Sequence, residues 1–349
     1  MPGEALPASI EPESDNVLAL TDALYARHLL TKLTGREFDN AGIESKIRAC
    51  RNSDGGFGWF EGMRSSAVVT AVVLERYAQM GRSFEGVESV VRYLDVAQFG
   101  STRMPFWCGG IDNAKYMYVR AMYAGVPFST RGLDADILKD FRKYAKEYLV
   151  PSEARGLEGR ILDKARRLLT LRTLASTAAG ESLAKSWGVA SSGKLASSLK
   201  ADTESLYEYA VDHKCGGCYY PNAVMPFRGL LESELYAHAL LCDLLSTTER
   251  SDIANGIRLW MMIQKETRKW ESDPAYIQAL NSVFQGGEDV LATKVLALSA
   301  TVDLPFSEIQ AAGNGFSLSR RYSVSHENGD WKELQEGDVL SVGDVGRAD

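Results

Sequence analysis

The sequence contains no run of about 18 apolar residues, which is the length that a helix needs to cross a membrane. We therefore predict no membrane span. Its first residues, Met-Pro-Gly-Glu-Ala-Leu-Pro, lack the apolar core of a secretory signal. Residues 1–15 are rich in proline, glutamate and serine, so we expect a loose N-terminal segment.

The chain also has no excess of positive charge. Asp and Glu number 46 against 39 Lys and Arg, which gives a net charge of −7, and no basic stripe is present. Nucleic acid is therefore not an expected partner. The most basic stretch, Lys164–Arg172, is interpreted as the solvated side of a helix.

Cysteine is rare, with five residues scattered along the 349-residue chain. So few cysteines exclude a disulfide framework. The composition, 45% apolar and 24% charged, is instead typical of a soluble globular protein with a sizeable core. The length allows one large domain or two ordinary ones.

Glycine and aromatic residues are concentrated in the stretch Asp54–Ser66. Its glycines allow a sharp turn that residues with a Cβ do not easily make. Large apolar anchors follow the glycines: Phe57, Trp59 and Phe60. Ser65 or Ser66 then supplies an oxygen of the kind that caps a helix. Apolar residues recur after it at helical spacing: Val68, Val69, Val72, Val73, Tyr77 and Met80.

Weaker copies of this unit recur. Gly216–Pro221 precedes a helix whose predicted apolar side is Leu231, Leu235, His238, Ala239, Cys242 and Leu245. Phe106–Gly110 precedes a helical run from Ala114 to Tyr123. Arg268–Pro274 starts a helix with Ser or Asp as cap and proline in its first turn.

Other helical runs lie between the copies, near residues 17–33, 85–98, 134–149, 160–177, 195–212, 251–265 and 288–299. The spacing between copies is irregular, which argues against a strict solenoid. We therefore predict an all-α fold, an α/α toroid over residues 16–302 with inner and outer rings of helices. An irregular helical bundle is the alternative.

The pattern changes over residues 303–349. Phe316, Leu318, Tyr322 and Val324 alternate as in a half-buried strand. Asn328-Gly329 is a turn signal, and Trp331–Leu334 and Val339–Val342 resemble two more short strands. A piece of this size hardly buries a core of its own. We expect it to be part of a following β domain in a longer protein.

Three segments, Arg48–Gly81, Tyr219–Glu234 and Gly337–Asp344, together resemble bacterial alpha-2-macroglobulin-like proteins. The similarity covers most of residues 40–344 and corresponds to the thioester-domain toroid plus the first strands of the next β domain. The glycine-aromatic turns alone are less specific, since toroidal terpene cyclases and protein prenyltransferases have similar ones.

The resemblance implies a non-enzymatic part of a large bacterial envelope protein that traps or inhibits proteases. Its implied partners are neighbouring β domains of the same chain, with proteases as targets and no cofactor. Many relatives carry a Cys-x-Glu-Gln motif, whose Cys and Gln side chains form an internal thioester. Here no cysteine has glutamine three residues later, so we predict that this chain forms no thioester by itself.

Zinc is an alternative for one cluster of residues: His213, Cys215, Cys218, His238 and Cys242. Their side chains are of the types that bind zinc. A Cys215–Cys218 disulfide and free or buried thiols are the competing interpretations. We assign no metal site.

Several acidic residues are candidate catalytic groups: Asp54, Glu61, Asp134, Asp136, Asp140, Glu232 and Glu234. The three aspartates 134–140 fit an ordinary helix start. Glu232 and Glu234, two apart on a predicted helix, do not face each other. We therefore assign no catalytic residue and no cofactor-binding residue.

The aromatic residues of the turns are interpreted as pegs between helices: Trp59, Phe60, Trp107, Tyr219, Tyr220 and Trp270. The alternative is that they line a central cleft. In that case the chain is a toroidal enzyme acting on carbohydrate or isoprenoid, and it needs a deep cavity with converging acids.

Overall fold

The computed structural model describes residues 10–101, 110–150, 161–189, 192–214, 216–221, 223, 232–267 and 273–284, and near the C-terminus 322–325, 330–335, 338 and 345–348. The chain divides into two compact units, Met1–Val295 and Leu296–Asp349. The predicted boundary at residue 302 lies outside the described residues and stays a prediction.

All the described helices belong to the first unit. They are α1 Val17–Thr34, α2 Ala41–Ala49, α3 Ala67–Gln79, α4 Val87–Phe99, α5 Asn113–Met122, α6 Ala135–Leu149, α7 Ile161–Ala175, α8 Ala178–Ser186, α9 Ser192–Glu204, α10 Glu234–Leu245, α11 Ser251–Thr267 and α12 Asp273–Phe284. The strands β1 Val211–Asp212 and β2 Cys218–Tyr219 form a short antiparallel pair in the same unit.

Six helices close into a ring. Helix α1 packs against α3, α3 against α5, α5 against α7, α7 against α10, and α10 against α12, which returns to α1. The others lie outside this inner ring: α2 on α1, α4 on α3 and α5, α6, α8 and α9 on α7, and α11 on α10 and α12. The predicted α/α toroid is confirmed.

Inner helices are buried nearly all round. Helix α10 buries ten of its 12 residues, because it packs against two ring neighbours and an outer helix. The buried surface of α10 is therefore wider than the one-sided apolar stripe that the sequence predicts.

None of the helices in the described ranges combines the length and apolarity needed to cross a membrane.

The helix predicted over 195–212 is wrong at its C-terminal end. Helix α9 stops at Glu204, a 3-10 turn follows at Tyr207–Tyr209, and Val211–Asp212 pairs as β1 with β2. The chain can reverse there because Gly217 has a φ of +73°, and a Cβ on it would lie 2.5 Å from the Gly256 carbonyl oxygen. Helices α2 and α8 were not predicted, and the predicted run 288–299 lies outside the described residues.

The first glycine turn enters α3 as predicted. Gly55 has a φ of +92°. The Asp54 carboxylate accepts hydrogen bonds from the Gly56 N–H at 2.9 Å and the Ser65 hydroxyl at 2.7 Å. Ser66 occupies the N-cap position of α3, but its side chain makes no capping hydrogen bond, so the predicted side-chain cap is not formed there. The Ser66 carbonyl accepts the Thr70 N–H at 2.9 Å.

Only one of the three predicted anchors in this turn is buried. Phe57 is buried, whereas Trp59 and Phe60 are 37% and 45% exposed, so the peg interpretation is wrong for these two. Trp59 instead contributes its backbone carbonyl, which accepts the Val17 N–H at 2.9 Å. This bond ties the turn to the start of α1.

The second unit contains a three-stranded antiparallel sheet in the order β4-β3-β5: β3 Tyr322–Ser325, β4 Trp331–Glu333 and β5 Val345–Ala348. Ser325 pairs with Trp331 and Val345. The strands predicted near Tyr322 and Trp331 are confirmed. The predicted strand Val339–Val342 and residues 316–321 lie outside the described residues, and β5 was not predicted.

Candidate functional site: the polar centre of the ring

Polar side chains meet in the middle of the ring. They form what we call the central network: Asp22 of α1, Glu75, Arg76 and Gln79 of α3, Tyr236 and Asp243 of α10, and Gln278 and Ser282 of α12. Some of its bonds join helices that are not ring neighbours. The Tyr236 hydroxyl donates to Glu75 at 2.7 Å, and Arg76 donates to Gln278 at 3.0 Å. These bonds cross the interior of the toroid.

Arg76 is the hub of the network and is fully buried. Its Nε donates to Asp22 Oδ1 at 3.0 Å, and its Nη1 donates to Gln79 Oε1 at 2.9 Å and to Gln278. Burial by itself would lower the pKa of Arg76, but the nearby Asp22 and Glu75 carboxylates outweigh it and raise that pKa. The guanidinium therefore stays charged inside the ring.

Glu75 is also fully buried. Its Oε1 accepts the Tyr236 hydroxyl and the Gln79 side-chain amide, the latter at 3.1 Å. Its Oε2 has no hydrogen-bond partner among the described residues. Burial, followed by the Glu75 charge, raises the pKa of Tyr236 well above its usual value, so the tyrosine remains a donor.

Asp243 is the third acid of the network. It accepts the Gln278 side-chain amide at 3.0 Å and the Ser282 hydroxyl at 3.0 Å. Burial raises the pKa of Asp243 to about 6, and the hydrogen bond from Ser282 opposes the rise. This carboxyl group therefore titrates nearer to neutral pH than an exposed aspartate.

A second polar group links α5 and α7 to the segment before α10. Lys115 Nζ lies 3.9 Å from Glu232 Oε1. Burial, followed by the charge of Arg166, lowers the pKa of Lys115 to about 8. Glu232 was predicted on a helix, but α10 begins only at Glu234, with Ser233 as its N-cap.

The basic stretch of α7 is not the solvated helix side that was predicted. Arg166 and Arg167 are buried. The Arg166 guanidinium lies 5.6 Å from the centre of the Tyr236 ring, an arrangement suited to a cation–π interaction. Arg167 pairs with Asp202 of α9 at 2.5 Å. Ring closure places this helix between inner and outer neighbours, which is why its charges are covered.

The residues considered for zinc have other bonds. Nε2 of His238 accepts a hydrogen bond from the Tyr220 N–H at 2.9 Å. Nδ1 of the same ring lies 2.6 Å from the Glu234 carbonyl oxygen. Burial lowers the pKa of His238 to about 4, so the ring is neutral. Cys218 and Cys242 are free buried thiols, while Cys215 lies outside the described residues. Over the described ranges no three potential ligands come together.

Three other candidates, Asp134, Tyr219 and Tyr220, have structural contacts. Asp134 is the N-cap of α6 and accepts the N–H groups of Asp136 at 3.0 Å and Ile137 at 3.1 Å. Tyr220 is buried, and Tyr219 stacks on Trp260 with ring centres 5.9 Å apart, as pegs would. Trp107 and Trp270 lie outside the described residues.

The sequence interpretation missed the central network. One signal was present: Glu75 and Arg76 stand side by side in the otherwise apolar helix sequence Ala-Val-Val-Thr-Ala-Val-Val-Leu-Glu-Arg-Tyr. Neighbouring charges in such a helix must be paired if both are buried. In the structure the three acids of the network accept hydrogen bonds from protein groups, which suits a stabilising role within the ring.

The fold is similar to that of solved bacterial alpha-2-macroglobulins. An Escherichia coli structure that spans domain MG7 to the C-terminus matches with a TM-score of 0.48 and 12% identity, over 99% of this chain and 46% of that one. Salmonella alpha-2-macroglobulin reacted with methylamine matches with a TM-score of 0.45 and 15% identity, over 98% of this chain and 19% of that one.

A third similar structure, native E. coli alpha-2-macroglobulin, matches with a TM-score of 0.46 and 12% identity over 99% of this chain. The present chain spans 18% of its length. Neither a protein-family model nor a curated protein matches the sequence. The present chain spans less than half the length of each of these solved chains.

Proposed function

We propose that this chain is a non-enzymatic toroidal domain of a large alpha-2-macroglobulin-like protein of the bacterial envelope. In this proposal the full-length protein restrains proteases, and the toroid presents rigid surfaces to neighbouring β domains. The observation that carries the proposal is the closed ring whose centre is occupied by the hydrogen-bonded central network, with Glu75, Arg76 and Tyr236 buried.

The network supports the role of a rigid body. Arg76 connects α1, α3 and α12, and Glu75 extends the connection to α10 through Tyr236. Four of the six inner helices are therefore linked by polar bonds in addition to their apolar contacts. Such a body can change its position in a larger protein without changing its internal packing.

The enzymatic alternative requires acids that face a substrate cleft. Asp22, Glu75 and Asp243 instead accept bonds from Arg76, Tyr236 and Ser282. Acids held in this way stabilise neighbouring protein groups. No observation on the described residues favours a carbohydrate or isoprenoid substrate.

The absence of a Cys-x-Glu-Gln sequence gives a direct test on this chain. An internal thioester reacts with methylamine and releases one thiol. We expect neither incorporation of radioactive methylamine nor release of a thiol from the 349-residue chain, with a thioester-containing alpha-2-macroglobulin as positive control. Stoichiometric incorporation would overturn this part of the proposal.

Protease restraint is tested on the full-length gene product. After incubation with a panel of proteases, hydrolysis of a small chromogenic peptide is compared with hydrolysis of intact casein. Restraint predicts that peptide hydrolysis persists while casein hydrolysis falls, and that deletion of residues 16–302 removes the protection. Unchanged casein hydrolysis with every protease would contradict the proposal.

A further inference from the structure

A cleft of about 220 Å³ lies away from the central network. It opens where α2, the first glycine turn, the end of α3 and the α3–α4 loop meet. The residues that matter for its chemistry are Glu44, Arg48, Phe57, Tyr77, Arg82 and Phe84. Its size suits one side chain or a small organic ligand.

The floor of the cleft is aromatic. The Tyr77 and Phe84 ring centres are 4.7 Å apart at an interplanar angle of 64°. Those of Phe57 and Phe84 are 6.1 Å apart at 74°. These edge-to-face contacts hold the rings against one another. Because Phe57 and Tyr77 are buried, the floor is fixed and suits an apolar group.

Some of the polar groups around this floor already have hydrogen-bond or ion-pair partners, and others are available to a ligand. Arg82 pairs with Glu44 at 2.6 Å, and the Arg51 guanidinium donates to the Glu85 carbonyl oxygen. No hydrogen bond or ion pair among the described residues engages the Arg48 guanidinium or the Tyr77 hydroxyl. Tyr77 is 5% exposed, and Arg48 is one of its charged neighbours. The cleft therefore offers a free cation and a free hydroxyl donor.

We propose that this cleft binds a peptide carboxylate that is carried next to an aromatic or aliphatic group. Arg48 would bind the carboxylate through parallel N–H bonds, Tyr77 would donate a third bond, and the aromatic floor would cover the apolar part. A monoanion is favoured over a phosphate dianion because the lining holds three arginines (Arg48, Arg51, Arg82) and two glutamates (Glu44, Glu85), a net positive charge of one that a single carboxylate neutralises.

In the first test, 3-phenylpropionate is titrated into the complete 349-residue chain. Binding is measured from the NMR signals of the Ile47 methyl groups, since Ile47 belongs to the lining of the cleft. We expect saturable shifts, and the uncharged 3-phenylpropionamide should bind about tenfold more weakly. Equal affinity for the amide, tighter binding of phenyl phosphate, or no saturable shift would overturn the proposal.

The second test locates the binding groups. Arg48→Gln should weaken 3-phenylpropionate binding about tenfold, and Tyr77→Phe about fivefold. Matched controls are Arg131→Gln and Tyr144→Phe, which change residues outside the cleft and should leave affinity unchanged. Unchanged thermal melting of each variant shows that folding is intact. Equal effects of Arg48→Gln and Arg131→Gln would contradict the assignment.

The third test distinguishes the two sources of a peptide carboxylate. Acetyl-Ala-Phe with a free C-terminus is compared with acetyl-Asp-Phe-amide, and acetyl-Ala-Phe-amide serves as the uncharged reference. Tighter binding of either acid than of the reference supports the proposal and identifies the source. No difference between the three peptides would overturn it.

Discussion

Inner helix α3 and outer helix α6 have similar lengths, 13 and 15 residues, but opposite burial. Helix α3 buries ten residues, including the charged Glu75 and Arg76. Helix α6 buries four, at spacings of three and four: Leu138, Phe141, Ala145 and Leu149. An outer helix needs one apolar stripe because its other side faces water. An inner helix has no solvent side, so each charge on it needs a partner inside the protein.

Removing the hub of the central network is expected to give the largest effect. Arg76→Leu leaves Asp22 buried without its cation and should lower the free energy of unfolding by about 3–5 kcal/mol. The measurement is urea unfolding followed by circular dichroism. The matched control is Arg250→Gln, which breaks an exposed pair with Asp252 and should change stability little.

A double-mutant cycle sharpens this prediction. Asp22→Asn with Arg76→Leu should destabilise less than the sum of the two single substitutions, because the partners are removed together. If Arg76→Leu and Arg250→Gln have equal effects, the distinction between inner and outer charges fails.

The turn that joins the ring to the outer layer is expected to give the next largest effect. A Cβ on Gly55 would lie 2.4 Å from the Ser89 carbonyl oxygen of outer helix α4. Gly55→Ala should therefore destabilise by more than the roughly 1 kcal/mol of a left-handed alanine alone.

Gly62 provides the matched control for this substitution. It has a φ of +78°, and a Cβ there meets nothing within 4 Å. Gly62→Ala should lower the free energy of unfolding only by the cost of placing an alanine in the left-handed region. Thermal unfolding of both variants measures the difference. Equal losses would mean that contact with α4 does not position the turn.

Titration is expected to distinguish Asp243 of inner helix α10 from Asp252 of outer helix α11 by the sign of their effects on stability. Folding raises the pKa of Asp243 from 3.8 to about 6. The folded chain therefore holds this proton more tightly than the unfolded chain, and the stability contributed by protonation is lost as pH rises from about 4 to 6. Relative to Asp243→Asn, the wild type should lose on the order of 2 kcal/mol between pH 4 and pH 7.

Asp252 on outer helix α11 should behave in the opposite way. Its hydrogen bond from Arg250 lowers its pKa, so the stability it contributes is present above the unfolded pKa and is lost as pH falls. Urea unfolding of the wild type, Asp243→Asn and Asp252→Asn from about pH 2 to pH 7 measures both signs, because the Asp252 contribution is lost only below the unfolded pKa of 3.8. Parallel pH profiles for the wild type and Asp243→Asn would contradict the assignment of Asp243.

The smallest predicted effect is at the start of an outer helix. Asp134→Ala removes the cap that accepts two N–H groups of α6 and should destabilise by about 1 kcal/mol. Asp134→Asn keeps an acceptor and should retain most of the stability. A loss as large as that of Arg76→Leu would mean that α6 is not a peripheral helix.

Local features were predictable because they depend on residues close in sequence. Gly55 and the Ser65–Ser66 pair marked the start of α3, Asp134 marked that of α6, and Tyr322 and Val324 marked β3. The errors have a common physical cause. Exposure of Trp59 and Phe60 and burial of Arg166 depend on which surfaces the ring covers, and no local pattern encodes that.

The sequence by itself determined most of the helices, the glycine turns and, through their repetition, the toroidal class. Only the tertiary structure decided which helices line the interior and which partners their charges have. Arg76 and Gln278 are 202 residues apart in the chain, and they meet because α12 packs back against α1. Helix signals act over one or two turns, whereas the pairing of a buried charge requires the whole ring to be closed.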